Sequence, residues 1–141
     1  LSLCQRHITG RFIVLMGDDM YGEDDIHVCL KHDWAWLVKK VRGKFTGGQI
    51  MYDDNDHVVA VNEGTHNVKE GFVGTNCFVL GPEYFRYEMQ PIKGGKEFGL
   101  PQTVVLAAAD FPIRIIEATG WHQVSDMEDL RRLHNFLSKG Q

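Results

Sequence analysis

The sequence predicts an α/β domain with a mixed, mainly parallel sheet and helices on both faces. Three observations carry this expectation. Phe12-Ile13-Val14-Leu15-Met16 is an unbroken apolar run, the pattern of an interior strand covered on both faces. Strand-like and helix-like segments alternate along most of the chain. Midway, two strand-like runs at 49–52 and 58–61 flank Asp53-Asp54-Asn55-Asp56, which reads as a hairpin with a polar turn.

Taken in order, Leu1, Leu3, Cys4 and Ile8 give a rough helical spacing that ends at Thr9-Gly10. No helix start signal precedes it, so the chain is expected to begin inside a larger domain. After the strand at 12–16, an acidic start at Glu23 opens a short helix over 23–31. Trp34-Ala35-Trp36-Leu37-Val38 begins a strand that runs toward Val41. Beyond the hairpin, residues 72–80 form a strand stopped by Gly81-Pro82, with a short helix over 83–89. Residues 103–110 read as a helix ended before Pro112, and 113–118 as the last strand. Ser125-Asp126-Met127-Glu128 has the capping-box form. It opens a helix with Leu130, Leu133, Phe136 and Leu137 on one face. Residues 1–141 are expected to make one domain, truncated at its N-terminus.

Composition narrows the function. The 141 residues are 43% hydrophobic and 24% charged, an ordinary globular balance. A net charge of −4, with both signs interleaved, argues against nucleic acid, whose phosphates demand a basic face. No apolar run is long enough to span a bilayer and no signal peptide is visible, so the cytoplasm is expected. Cys4, Cys29 and Cys77 are odd in number and far apart, and read as free thiols packed in the core. The seven histidines show no metal spacing. Gly94-Gly95-Lys96 reads as a turn. Core packing is expected for at least two of Trp34, Trp36 and Trp121.

Gly17-Asp18-Asp19 stands at the carboxyl end of the buried strand, where open α/β sheets bind ligands. A carboxylate there suits a hard divalent cation.

The stretch Phe-Ile-Val-Leu-Met-Gly-Asp-Asp-Met-Tyr resembles the strand and Gly-Asp motif of the nucleotidyltransferases that join a sugar 1-phosphate to a nucleoside triphosphate. Later segments are similar in the same order. Ala35 to Val41 resembles Ala-Leu-Leu-Val-Lys-Lys-Val, and Val61-Asn62-Glu63 stands at the family's Glu-Lys-Pro. Gly74-Thr75-Asn76-Cys77-Phe78 matches Gly-x-Tyr-x-Phe. Gly120-Trp121 with Glu128-Asp129-Leu130 resembles the terminal Trp and Glu-Asp-Leu pattern. The resemblance covers nearly the whole chain, but only the C-terminal two-thirds of such a domain. It implies a Rossmann-like fold and transfer of a nucleotidyl group to a sugar 1-phosphate, giving an NDP-sugar and pyrophosphate. By the same resemblance Asp18 binds the catalytic magnesium, Mg2+, and is the catalytic residue. Glu63 binds sugar hydroxyls, and Gly74 lies against the sugar ring.

Two departures bear on activity. Gly64 stands where the family has lysine, and Gln123 where it has its second metal-binding aspartate. Gln123 can still offer a carbonyl oxygen to substrate or metal. The Gly-rich triphosphate loop of the family has no counterpart, so self-association or a separate N-terminal half is expected to complete the site. The alternative is a catalytically silent sugar-nucleotide-binding or regulatory module of the same fold.

Overall fold

The computed structural model describes residues 1–92 and 97–138. The Gly94-Gly95-Lys96 turn lies outside the described residues. Four strands form one sheet in the order β1-β3-β2-β4. They are β1 (Phe12–Val14), β2 (Ala35–Tyr52), β3 (Val58–Leu80) and β4 (Arg114–Glu117). Helix α1 (Glu23–Cys29) follows β1, α2 (Leu100–Ala107) precedes β4, and α3 (Met127–Ser138) comes last. Short 3-10 turns occupy Ser2–His7 and Pro82–Arg86. The second of these replaces the expected helix at 83–89.

The alternating pattern of β2 and β3 builds two cores, because successive side chains of a strand point to opposite faces. Trp36, Val38, Phe78 and Leu80 face α2, where they meet Val104 and Ala107. Ala35, Leu37, Cys77 and Val79 face the other way and pack on Cys29 of α1. Helices therefore cover both faces, as expected for the α/β class.

Two expectations are corrected. The sheet is mixed but not mainly parallel, since β1–β3 and β2–β3 are antiparallel and only β2–β4 is parallel. The cause is the length of the β2–β3 ribbon, which begins at the hairpin tip and runs back into the sheet. Among the described residues, β1 is an edge strand and not an interior one. Its apolar run does meet both cores, with Phe12 and Val14 in one and Ile13 in the other. Coverage on both faces was legible; the missing strand neighbour was not. Leu15 and Met16, expected in the strand, lie beyond it and are exposed.

The hairpin turn falls where expected. The Asp53 N–H donates to the His57 carbonyl, and Asp53 Oδ1 accepts from the N–H groups of Asn55 and His57. The cap of α3 is shifted by one residue from Ser125. Asp126 Oδ1 accepts from the N–H groups of Glu128 and Asp129, and the Ser125 N–H donates back to Asp129 Oδ2. Leu130, Phe136 and Leu137 of α3 are exposed. Cys29 and Cys77 are buried free thiols, whereas Cys4, expected in the core, is exposed. Trp34 and Trp36 are buried as expected. No helix among the described residues is long and apolar enough to cross a membrane.

Candidate functional site

The ribbon shapes the site. Residues 38–41 of β2 pair with 71–74 of β3, and 43–52 pair with 58–68. Gln49 and Ile50 also pair with Val73 and Phe72, so the outer ribbon curls back against β3. Gly47 and Gly64 face each other in this curl with φ of 143° and 147°. Side chains rarely adopt that backbone, so a lysine at position 64 would be strained in this ribbon.

Under the curl lies a cavity of about 430 Å³. Glu63 lines it from the ribbon, Gly74 and Asn76 from β3, and Trp121 and Gln123 from the segment after β4. The turn after β1 contributes Asp19. Three residues expected to touch substrate, Glu63, Gly74 and Gln123, thus line a single cavity. Asp18 is not among the residues that line it. It is exposed in the turn before Asp19, and among the described residues it makes no hydrogen bond.

Asp19 is held where it stands. Its Oδ2 accepts from Trp121 Nε1 at 3.0 Å and its Oδ1 from the Val124 N–H at 3.4 Å. Tyr21 donates to the Thr75 carbonyl at 2.9 Å, and its hydroxyl lies 3.5 Å from Asp19 Oδ2. Burial is the main reason the Tyr21 phenol is pushed up to about 12. A raised folded value means the neutral phenol favours the native state below pH 10, and this contribution is lost as pH rises from 10 toward 12. Tyr21→Phe should therefore flatten the fall of unfolding free energy between pH 10 and 12. Urea titrations at several alkaline pH values measure that slope, and an unchanged slope would show that Tyr21 is not linked to stability.

Some site-forming residues escaped the sequence. Leu37 pairs with Cys77 while Val38 pairs with Gly74, leaving Thr75 and Asn76 as a bulge. Asn76 adopts φ 56°, a left-handed conformation that asparagine tolerates, and is thereby turned into the cavity wall. The visible signal is the Gly-Thr-Asn interruption of an apolar run. Asp25, read only as part of an acidic helix start, is buried. Both its oxygens accept from the Thr119 N–H at 3.0 Å; Thr119 Oγ1 donates at 2.7 Å and the Gly120 N–H at 2.8 Å. It ties α1 to the segment that carries Trp121 and Gln123. From α2, Gln102 Nε2 donates to Glu63 Oε1 at 2.9 Å.

A larger cavity of about 670 Å³ opens at the other end of the strands, beside Arg11 and Arg114. Both arginines are engaged, Arg11 with the His32 carbonyl and Asp33, and Arg114 with the Asn55 carbonyl and Asp56. Size alone is a poor guide here, since in open α/β sheets ligands bind at the carboxyl ends of the strands. Asp19 and Trp121 place the smaller cavity at those ends.

No group of three or more histidine, cysteine or acidic side chains is disposed to hold a metal among the described residues. Of the nearby oxygen donors, Asp19 and the Gln123 amide line the cavity and the exposed Asp18 does not. One or two carboxylates with substrate phosphates are the donor set that magnesium takes.

No protein-family model matches the chain. It is 23% identical over 133 residues to the bifunctional protein GlmU of Methanocaldococcus jannaschii, covering 93% of this chain and 32% of that protein. It is 25% identical over 151 residues to the bifunctional IPC transferase and DIPP synthase of Archaeoglobus fulgidus, covering 97% of this chain and 27% of the other. Among solved structures, the inositol-1-phosphate CTP transferase from T. maritima superposes with a TM-score of 0.69 at 11% identity. That match covers 98% of this chain and 59% of that one. The chain thus spans about a third of the curated relatives it matches, and it has the fold of the nucleotidyltransferases.

Proposed function

We propose, from that shared fold as premise, that this chain supplies the acceptor-binding part of a sugar-phosphate nucleotidyltransferase. The reaction joins a nucleoside triphosphate and a sugar 1-phosphate into an NDP-sugar, releasing pyrophosphate. The observation that carries this proposal is the convergence of Glu63, Gly74 and Gln123 on one cavity at the carboxyl end of the sheet. Glu63 has Oε1 committed to Gln102, and a carboxylate is acceptor-only, so its other oxygen suits a sugar hydroxyl. Gly74 has no side chain to keep a ring from the cavity wall. A triphosphate cradle is proposed to come from a further segment, on the same or an associated polypeptide. The buried free thiols Cys29 and Cys77 support a reducing, cytoplasmic setting.

Asp18 is the proposed metal-binding residue, because it is exposed while Asp19 is engaged by Trp121 and Val124. Bound magnesium would neutralise charge on the phosphates during the displacement. Asp18→Asn should weaken magnesium binding, with nucleotide present, by roughly tenfold or more. Asp53→Asn and Asp54→Asn at the hairpin tip should change it little. Equal losses at all three sites, by calorimetry, would remove the assignment.

The activity itself is tested by pyrophosphate release from the polypeptide that also carries the triphosphate-binding segment. Glu63→Ala should abolish that release while the fold persists. A fully active Glu63→Ala would end the proposal.

Gln123 favours the second possibility, a silent binding module, since an amide stands where the resembling family has a carboxylate. In a working site Gln123→Ala impairs binding of a nucleotide sugar. In a silent one it leaves binding untouched, while Gln123→Asp strengthens magnesium binding by adding a charge. We expect the first result, because Gln123 lines the cavity beside Trp121.

A further inference from the structure

Glu63 is an exposed residue of the outer ribbon, and an untethered glutamate there would sample many rotamers. Two glycines and one amide restrict it. Gly48 is its partner across the ribbon, and a Cβ on Gly48 would stand 3.0 Å from Glu63 Oε1 and 2.8 Å from Val61 Cγ2. The carboxylate thus lies over the ribbon in space that glycine leaves open. The first turn of α2 brings Gln102 to the same oxygen, and its Nε2 donates to Glu63 Oε1 at 2.9 Å.

Gln102 is itself held against a penalty. Its Oε1 is buried with no partner among the described residues, which lowers stability. Turning the amide over gives no relief, because the carbonyl oxygen would then face a carboxylate. Gly99 makes the room. It is buried, and its φ of −99° is open to any residue, yet a Cβ there would overlap the Gln102 side-chain carbonyl. Space for Gln102, rather than a special backbone, is what glycine supplies at position 99. Pro101, next to Gln102, lines the same cavity as Glu63.

We infer that Gln102 is a positioning residue, which aims the Glu63 carboxylate into the cavity from the first turn of α2, with Gly48 and Gly99 as the clearances it needs. The inference rests on the acceptor-binding function proposed for this cavity. Gln102 engages Oε1 and so presents Oε2 to a sugar hydroxyl. A carboxylate aimed before the ligand arrives avoids the ordering cost of a long side chain on binding.

The experiment titrates glucose 1-phosphate by calorimetry into the polypeptide that also carries the triphosphate-binding segment, with a thermal melt of each variant. Gln102→Leu keeps the bulk and removes the donor. It should weaken affinity roughly fivefold while the number of sites per chain stays the same. Gly99→Ala should do likewise with little change in melting temperature, because what it displaces is the end of a flexible side chain. Glu63→Ala should weaken affinity at least as much, and Gln102→Leu added to it should weaken affinity no further. A merely structural role would instead lower the melting temperature and the number of sites, and leave the affinity of the folded fraction alone. Where Glu63→Ala binds too weakly to measure, the two single variants decide. Unchanged affinity in both Gln102→Leu and Gly99→Ala, or losses from Gln102→Leu and Glu63→Ala that simply add, would overturn the inference and leave the nucleotidyltransferase proposal standing. Full affinity in Glu63→Ala, or no binding to the unaltered protein, would overturn both.

Discussion

Asp25→Ala is expected to lower the unfolding free energy by about 3 kcal/mol, measured by urea denaturation. The Thr119 N–H, the Thr119 hydroxyl and the Gly120 N–H all lose their acceptor; these bonds are part-buried, so each loss costs about 1 kcal/mol, the low end of the range for a shielded donor. The loss should not stay local. Gly22 and Gly120 are packed so closely that a Cβ built on Gly120 would stand 2.9 Å from Gly22 Cα. Once Asp25 no longer holds the loop, that contact loosens, and Trp121 and Gln123 move with it. Asp25→Asn, which keeps one acceptor oxygen, should lose less. If the two substitutions cost the same, charge rather than hydrogen bonding would explain the site.

Gly74→Ala is expected to be nearly as damaging to stability and more damaging to binding. A Cβ at this position would lie 2.7 Å from Trp36 Cζ2 and 3.1 Å from Trp36 Nε1. Trp36 is fully buried and packed on Phe78, with ring centroids 4.7 Å apart, so it has nowhere to retreat. Overpacking of this kind costs roughly 1–3 kcal/mol. The methyl group would also intrude on the cavity wall, so sugar phosphate binding should weaken beyond the stability loss. Thermal melts and calorimetry on the same sample separate the two effects. Wild-type affinity in a stable Gly74→Ala variant would show that ligands do not approach Gly74.

What the sequence disclosed was what depends on near neighbours. The turn at 53–56 was legible because Asp53 caps its own hairpin within four residues. The start of β2 was legible as a strand in its apolar run, and the last helix in its spacing. Glu63, Gly74 and Gln123 were reached through resemblance, and the curl of the ribbon brings them together. What stayed hidden depends on distant partners. Asp25 meets Thr119 across 94 residues, and nothing near Asp25 announces that contact. That Asp19 rather than Asp18 reaches Trp121 was hidden too, because only the fold separates two adjacent carboxylates. The strand pairing of β1 failed for the same reason, since hydrophobicity records burial but not which strand lies alongside.

The two walls of the cavity differ in the length of chain that must close to form them. One is the β2–β3 ribbon, which closes from a tight turn and can zip outward with little loop entropy to overcome. The other, Trp121 with Gln123, reaches Asp19 across 102 residues and is held by the Met20–His122 backbone pair, by the Trp121 and Val124 donors to Asp19, and by Asp25 on Thr119 and Gly120. Amide exchange at Met20 and His122 is expected to be faster than in the buried inner strands at 35–38 and 77–80, where it is set by global unfolding. The ribbon wall that carries Glu63 can thus be built from local contacts, whereas the Trp121 wall waits on contacts made across most of the chain.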